Sequence, residues 1–272
     1  LEYQGGNFMT SNMPSSFFDW VLFLLKEYGG LLVEGAIATL MLAVVGTFIG
    51  CIIGLIVGAI QTIKVNPKAN PVKKALNKGL QTLLTSYVEI FRGTPMIVQA
   101  MLVYYGSMYL FEIDMSAMFA GFLVVSVNTG AYMAETVRGG ISSIDIGQTE
   151  AAKAIGMNHY QTMKHVILPQ ALRNIMPQIG NNLIINIKDT SVLNVISVTE
   201  LYFVSKSAAG VYYKYFEVFF ITCVIYFIMT FSVSCILKWI EKKMDGPDNY
   251  ALVEYDPMAD PCGPFTSKKG SN

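Results

Sequence analysis

One stretch limits what this chain can fold into more than any other. Residues 31–60 read LLVEGAIATLMLAVVGTFIGCIIGLIVGAI and carry a single charge, Glu34, near the start. A helix needs about 20 apolar residues to cross a bilayer core, and this run exceeds that. It is also longer than the roughly 7–15 apolar residues of a secretory signal, and further apolar runs follow it. Composition agrees: 53% of the 272 residues are hydrophobic and 14% are charged, against roughly 25% charged in an average soluble domain. The expected fold is an all-α membrane protein with about five transmembrane helices.

The spans are expected at 31–61, around 95–111, and at 117–137, 175–200 and 216–240. The second is the hardest to delimit, because YVEIFRG just before it is helical in character but carries Glu89 and Arg92. Residues 16–28, SFFDWVLFLLKEY, read as an amphipathic helix at the interface, with Trp20 and Tyr28 as anchors. The stretch KVNPKANPVKKALNKG reads as a polar loop. Three regions result: an N-terminal extracellular or interfacial segment at 1–30, a transmembrane domain at 31–245, and a tail at 246–272. The tail is rich in Gly, Pro, Asp and Ser and is expected to be irregular.

Basic residues orient the spans. Lys64, Lys68, Lys73, Lys74 and Lys78 follow the first span. Arg138, Lys153, Lys164 and Arg173 lie between the third and fourth, and Lys238, Lys242 and Lys243 follow the fifth. The 112–116 loop has no Lys or Arg, and 201–215 has Lys206 and Lys214. The N-terminus is therefore expected outside, with the C-terminus and the 138–173 insert in the cytoplasm.

Other features exclude alternatives. Lys plus Arg and Asp plus Glu each number 19, which gives no case for nucleic-acid binding. Cys51, Cys223 and Cys235 fall in apolar runs and Cys262 in the tail, with no zinc-type spacing. His159 and His165 sit in the insert, where surface or packing roles suit them better than metal binding. Gly46, Gly50, Gly54 and Gly58 make one smooth helix face that permits close approach. That face and the small number of spans point to a functional unit of two such chains.

The insert GQTEAAKAIGMNHYQTMKHVILP, residues 147–169, looks soluble between apolar spans. Glu150 to Ala154 are strong helix formers. Gly156 is a natural left-handed terminator. Asn158 and Gln161 have the spacing of a capping box. A second helix is expected to run to about Leu168, where Pro169 ends it. The alanines keep the first helix thin, and Ile155 and Met157 give it an apolar tip suited to docking.

The spacing of Glu150-Ala151-Ala152, Gly156, Val166 and Leu168-Pro169 resembles the EAA motif of ABC importer permeases. Val166 stands where that pattern has isoleucine. Phe91-Arg92-Gly93-Thr94-Pro95 with Gln99 resembles the FRGTP segment of polar amino-acid permeases. Gly130 to Glu135, Arg138 to Ile141, Gly147-Gln148 and Lys188 to Ser191 resemble the same subfamily. The blocks cover about 88–200.

The resemblance implies a type I importer. Its permease dimer, of identical or related subunits, spans a prokaryotic inner or plasma membrane. Two cytoplasmic ATPase subunits receive the EAA helices, and an extracellular or periplasmic substrate-binding protein delivers an amino acid. The 149–158 helix would be the coupling helix, with Glu150, Ala151, Ala152, Gly156, Leu168 and Pro169 as its coupling residues. This chain has no GxxxxGK[ST] phosphate loop, so ATP and Mg belong to the partner ATPase and the chain itself is not an enzyme.

Charges at membrane depth are costly unless they face a cavity or a partner. Glu135, with Tyr132, Asn128 and Thr129 on nearby turns, reads as a polar cavity wall. Pro95 can break the helix and free backbone groups near Thr94 that a zwitterion could use. In a functional reading Glu135 or Asp189 takes a substrate ammonium and Arg92 or Thr94 its carboxylate, with Gln99 and Ser191 nearby. In a structural reading Arg92–Glu135 and Lys188–Asp189 are pairs holding the bundle together. An acidic wall would favour cationic amino acids. A secondary transporter, an intramembrane enzyme and a recruiting scaffold are the rival classes. The histidines outside the spans argue against the enzyme.

Overall fold

The structure is a computed structural model describing residues 14–63 and 70–245. Lys64, Lys68, Cys262 and the 246–272 tail lie outside the described residues. Among the described residues there are helices and connections but no strand.

Helix α1 runs without interruption from Phe17 to Gln61, 45 residues. At 1.5 Å per residue it is about 67 Å long, roughly twice a bilayer core of about 30 Å. The expected separate interfacial helix at 16–28 is therefore the first part of α1. Gly29 and Gly30 do not break it, although each costs about 1 kcal/mol in a helix. Packing on either side outweighs that cost: Trp20, Leu24 and Leu32 are buried in one cluster with Leu201, Val204, Val218 and Ile221.

Helix α4, Ala117–Ser142, lies along α1 in the same direction. The glycine series sets their separation. A Cβ on Gly50 would stand 2.6 Å from Thr129 Cβ, and one on Gly58 would stand 2.6 Å from the Ala134 carbonyl. Gly46 meets Val125 and Gly54 meets Met133. The face expected to serve a second chain is thus consumed inside this one.

The second path is broken. Helix α2 covers Pro71–Gly93 and α3 covers Met96–Phe111. Lys73, Lys74 and Lys78 are therefore helical, not in a loop. Asn70 caps α2 through the Val72 N–H, and Pro71 suits the first turn. Gln81 donates to Ile60 O near the end of α1, and Tyr87 donates to Val127 O midway along α4. So α2 climbs from the end of α1 to the middle of α4, and α3 continues beyond the break.

Helix α5, Ile146–Ala154, begins at the Asp145 cap. Gly156 then takes φ +84°, the left-handed stop expected of it. The capping box is realised, with Asn158 and Gln161 each accepting from the other's backbone N–H at 2.9 Å. Helix α6 is only His159–Thr162, followed by a π-turn at Met163–Ile167. Helix α7, Leu168–Asp189, then begins and contains Pro169 in its first turn. The expected stop at Pro169 fails because a first-turn proline loses only a bond that is interrupted there already.

Helix α7 runs antiparallel to α4. Ile175 meets Gly140, and Asn182 reaches Met133. A 3-10 segment, Thr190–Ile196, carries Leu193 up to Gly121. Helix α8, Leu201–Tyr212, and α9, Tyr215–Asp245, complete the chain. Among the described residues three helices, in α1, α4 and α9, are long and apolar enough to cross a membrane. The second expected span is α3, apolar but only 16 residues long, and the fourth is divided between α7 and the 3-10 segment.

Candidate functional site

The break between α2 and α3 is built by four residues, Thr94, Pro95, Gln99 and Asn128. Pro95 lacks an N–H and holds Thr94 extended at φ −121°, ψ 144°. The last carbonyls of α2 then need donors. Thr94 Oγ1 donates to Ile90 O at 2.8 Å. Gln99 Nε2 lies 2.9 Å from Phe91 O, Thr94 O and Thr94 Oγ1. Asn128 Nδ2, from α4, donates to Phe91 O at 3.2 Å and to Gln99 Oε1 at 3.0 Å. Thr94, Gln99 and Asn128 thus come together as expected, but they satisfy one another. These carbonyls, expected to stay free for a zwitterion, are capped by side chains.

Beside the network lies an exposed charge cluster. Arg138 makes two contacts to the Glu135 carboxylate, one of them from Nε at 3.3 Å. The Arg92 guanidinium is 3.7 Å from the same carboxylate and 5.7 Å from the Tyr132 ring centre. Two cations share one anion, so the cluster carries a formal charge of +1. The free acidic wall expected of Glu135 is not present. Arg138, read from the sequence only as a basic residue of the insert, is part of the cluster. All three charged side chains are over a third exposed, where an ion pair contributes about 0–1 kcal/mol. Such pairs can exchange partners with a ligand's carboxylate or ammonium.

The other expected site residues lie apart. Thr129 is buried, and its Oγ1 accepts from Asn186 at 2.9 Å. Asp189 ends α7 and Ser191 opens the 3-10 segment, which packs against α3. Lys188 and Asp189 form no ion pair among the described residues. In the insert Ala152 is buried, while Glu150, Ala151, Gly156 and Pro169 are exposed and Leu168 is half-buried. Ile146, Ile155 and Tyr160 also present apolar surface there.

Sequence reasoning missed two interior polar centres. Glu200 is fully buried at the start of α8. Asn186 bonds Thr47 at 2.7 Å and Thr129, tying α7 to α1 and α4. The signal for Asn186 was present: carboxamides recur every four residues from Gln170 to Asn186.

Apolar helices, one path broken at a polar network, and a separate docking-type helix define a membrane transport subunit. Comparison with known proteins gives the particular family. Residues 74–246 match the binding-protein-dependent transport system inner membrane component family. The putative glutamine transport system permease protein GlnP of Rickettsia prowazekii is 34% identical over 226 residues, 82% of this chain and 98% of that protein. The arginine transport system permease protein ArtQ of Bacillus subtilis is 36% identical, covering 60% of this chain and 74% of that protein. A crystal structure of an amino acid ABC transporter with histidines superposes with TM-score 0.73 at 34% identity, covering 85% of this chain and all of that one. The chain belongs to the binding-protein-dependent transport system inner membrane component family.

Proposed function

We propose that the chain is the permease subunit of an ATP-driven importer of polar amino acids, working with a second permease subunit. Two ATPase subunits engage the α5 region, and a binding protein delivers substrate from outside. The carrying observation is the insert. A short helix, α5, ends in a left-handed Gly156 and leaves Ile146, Ile155 and Tyr160 exposed for a partner. ATP and Mg belong to the ATPase, the N-terminus lies outside and the C-terminus in the cytoplasm.

The substrate reading changes with the geometry. Glu135 is matched by two guanidiniums, so the cluster favours a carboxylate more than a second positive charge. A neutral polar amino acid such as glutamine ranks first, and cationic ones second. The similar permeases named for glutamine and arginine support this class. Substrate contacts fall to Arg92, Thr94, Tyr132 and Glu135, with Gln99 and Asn128 holding the break.

The test is reconstitution of the permease with its ATPase and binding protein in proteoliposomes. Uptake of labelled glutamine, arginine and glutamate is measured with and without internal ATP. ATP-dependent uptake of glutamine or arginine is expected. Uptake by the permease alone, driven by an ion gradient, would replace the reading with a secondary transporter.

A further inference from the structure

Helix α7 carries carboxamides at Gln170, Asn174, Gln178, Asn182 and Asn186, one every four residues. Four residues turn a helix by about 400°, so each successive amide is displaced by about 40° around α7. The row therefore winds slowly, and four of its five side chains, all but Gln178, reach different neighbours.

At the insert end Gln170 Nε2 bonds Gln148 Oε1 of α5 at 3.3 Å and Val166 O of the π-turn at 2.8 Å. One turn on, Asn174 Nδ2 reaches Oγ of Ser143, the C-cap residue of α4, at 3.4 Å. Ser143 and Asp145 flank the short connection from α4 to α5, and Asp145 caps α5. In the interior Asn182 reaches Met133 Sδ at 3.4 Å on α4. Asn186 bonds Thr47 of α1 and Thr129 of α4.

The outer amides grip the docking helix and its connection. The inner ones grip the two helices at the centre of the bundle. Apolar side chains would pack as well in the interior without the desolvation that a buried amide costs. Directional bonds instead hold α7 in register with both ends. Interhelical bonds of this kind are individually weak, which lets them break and reform during a cycle.

We propose that this amide row makes α7 the strut that carries displacement of α5 into the bundle, with Gln170 and Gln148 as the positioning pair that engages it. The inference rests on the coupling role proposed above and assigns it to residues outside the EAA pattern.

The experiment uses the complete reconstituted complex and measures glutamine or arginine taken up per ATP hydrolysed. Gln148→Leu and Gln170→Leu should each lower that ratio by at least about twofold, within the roughly twofold to thirtyfold range of couplings altered by single substitutions. The double variant should be no worse than Gln170→Leu alone, because both remove one contact. Gln148→Glu with Gln170→Lys restores a bond between the two positions and should recover most of the ratio. A merely structural role would show as lost assembly, read by copurification of the ATPase, with no recovery in the exchanged pair. Should Gln170→Leu fail to assemble, exposed Gln148→Leu carries the test alone. Unchanged ratios in the single variants, or additive losses without recovery, overturn the proposal. A wild-type complex without ATP-driven uptake overturns the functional reading instead.

Discussion

The Tyr226 hydroxyl donates to the Glu200 carboxylate across 3.1 Å, joining α9 to the start of α8. The same carboxylate accepts from the Tyr202 and Phe203 backbone N–H groups at 2.8 Å each. Thr39 of α1 bonds the Leu201 N–H at 3.2 Å and lies 3.5 Å from the carboxylate. One fully buried side chain therefore caps α8 and ties three helices. Glu200→Ala leaves two N–H groups and a hydroxyl without an acceptor, at about 1–3 kcal/mol each. The purified variant should melt well below wild type in detergent, with Glu200→Gln between them because one acceptor remains. Wild-type melting of Glu200→Ala would refute this account of the joint.

The α1–α4 contact makes a contrasting pair of glycine predictions. At Gly50 a methyl would meet the Thr129 side chain at 2.6 Å and the Ser126 carbonyl at 3.0 Å. Backbone cannot yield cheaply, so Gly50→Ala should separate the helices and destabilise the chain by about 1–3 kcal/mol, the usual cost of overpacking. Gly79, inside α2, has nothing within 4 Å of its added Cβ. Gly79→Ala should be neutral or stabilising by up to about 1 kcal/mol. Thermal unfolding of the two variants side by side checks the assignment, and equal midpoints would count against it.

The features legible in the sequence were local. Gly156 and the Asn158–Gln161 box depend on residues within a few positions of each other, so propensity alone located them. Residues 31–60 could be read as a span from apolar length. What escaped depended on distant partners. The continuity of α1 through Gly29-Gly30 is set by packing on residues about 170–200 positions away. The glycine face was seen, but its partner was not, because a smooth face does not name the helix that fills it. Thr129 and Asn128 are adjacent in sequence, yet one is buried toward α7 and the other turns to the α2–α3 break. The Arg92–Glu135 pair was legible as one of two readings, but the closer Arg138 contact to the same carboxylate was not.

Gly156 offers a test of the insert that leaves the spans untouched. Its φ of +84° is a conformation L side chains rarely adopt, at a cost of roughly 1–2 kcal/mol. Nothing lies within 4 Å of an added Cβ, so the penalty is conformational, not steric. Gly156→Leu should shift the end of α5, lower stimulation of ATP hydrolysis by the loaded binding protein, and leave the melting of the permease nearly unchanged. Full stimulation in that variant would show that the turn does not position the docking helix.

The last prediction separates the two charges of the exposed cluster. Arg92 shares Glu135 with Arg138, which makes the closer contact. Arg92 therefore has donor capacity left for a substrate carboxylate, and its position over Tyr132 fixes its direction. A charged hydrogen bond contributes about 1.5–3 kcal/mol, and about 1.4 kcal/mol is tenfold in affinity. Arg92→Gln should raise the KM for glutamine uptake about tenfold or more, with Arg92→Lys intermediate because it keeps the charge and loses the planar fork. Glu135→Gln removes the shared anion and leaves two guanidiniums. It should raise the KM for arginine more than that for glutamine, since only the former brings an extra positive charge. Copurification of the ATPase with each variant shows that assembly persists. An unchanged KM for both substrates in Arg92→Gln would assign the cluster to holding α2 against α4. Greater loss for glutamine than for arginine in Glu135→Gln would place the substrate ammonium, not its carboxylate, at the centre of recognition.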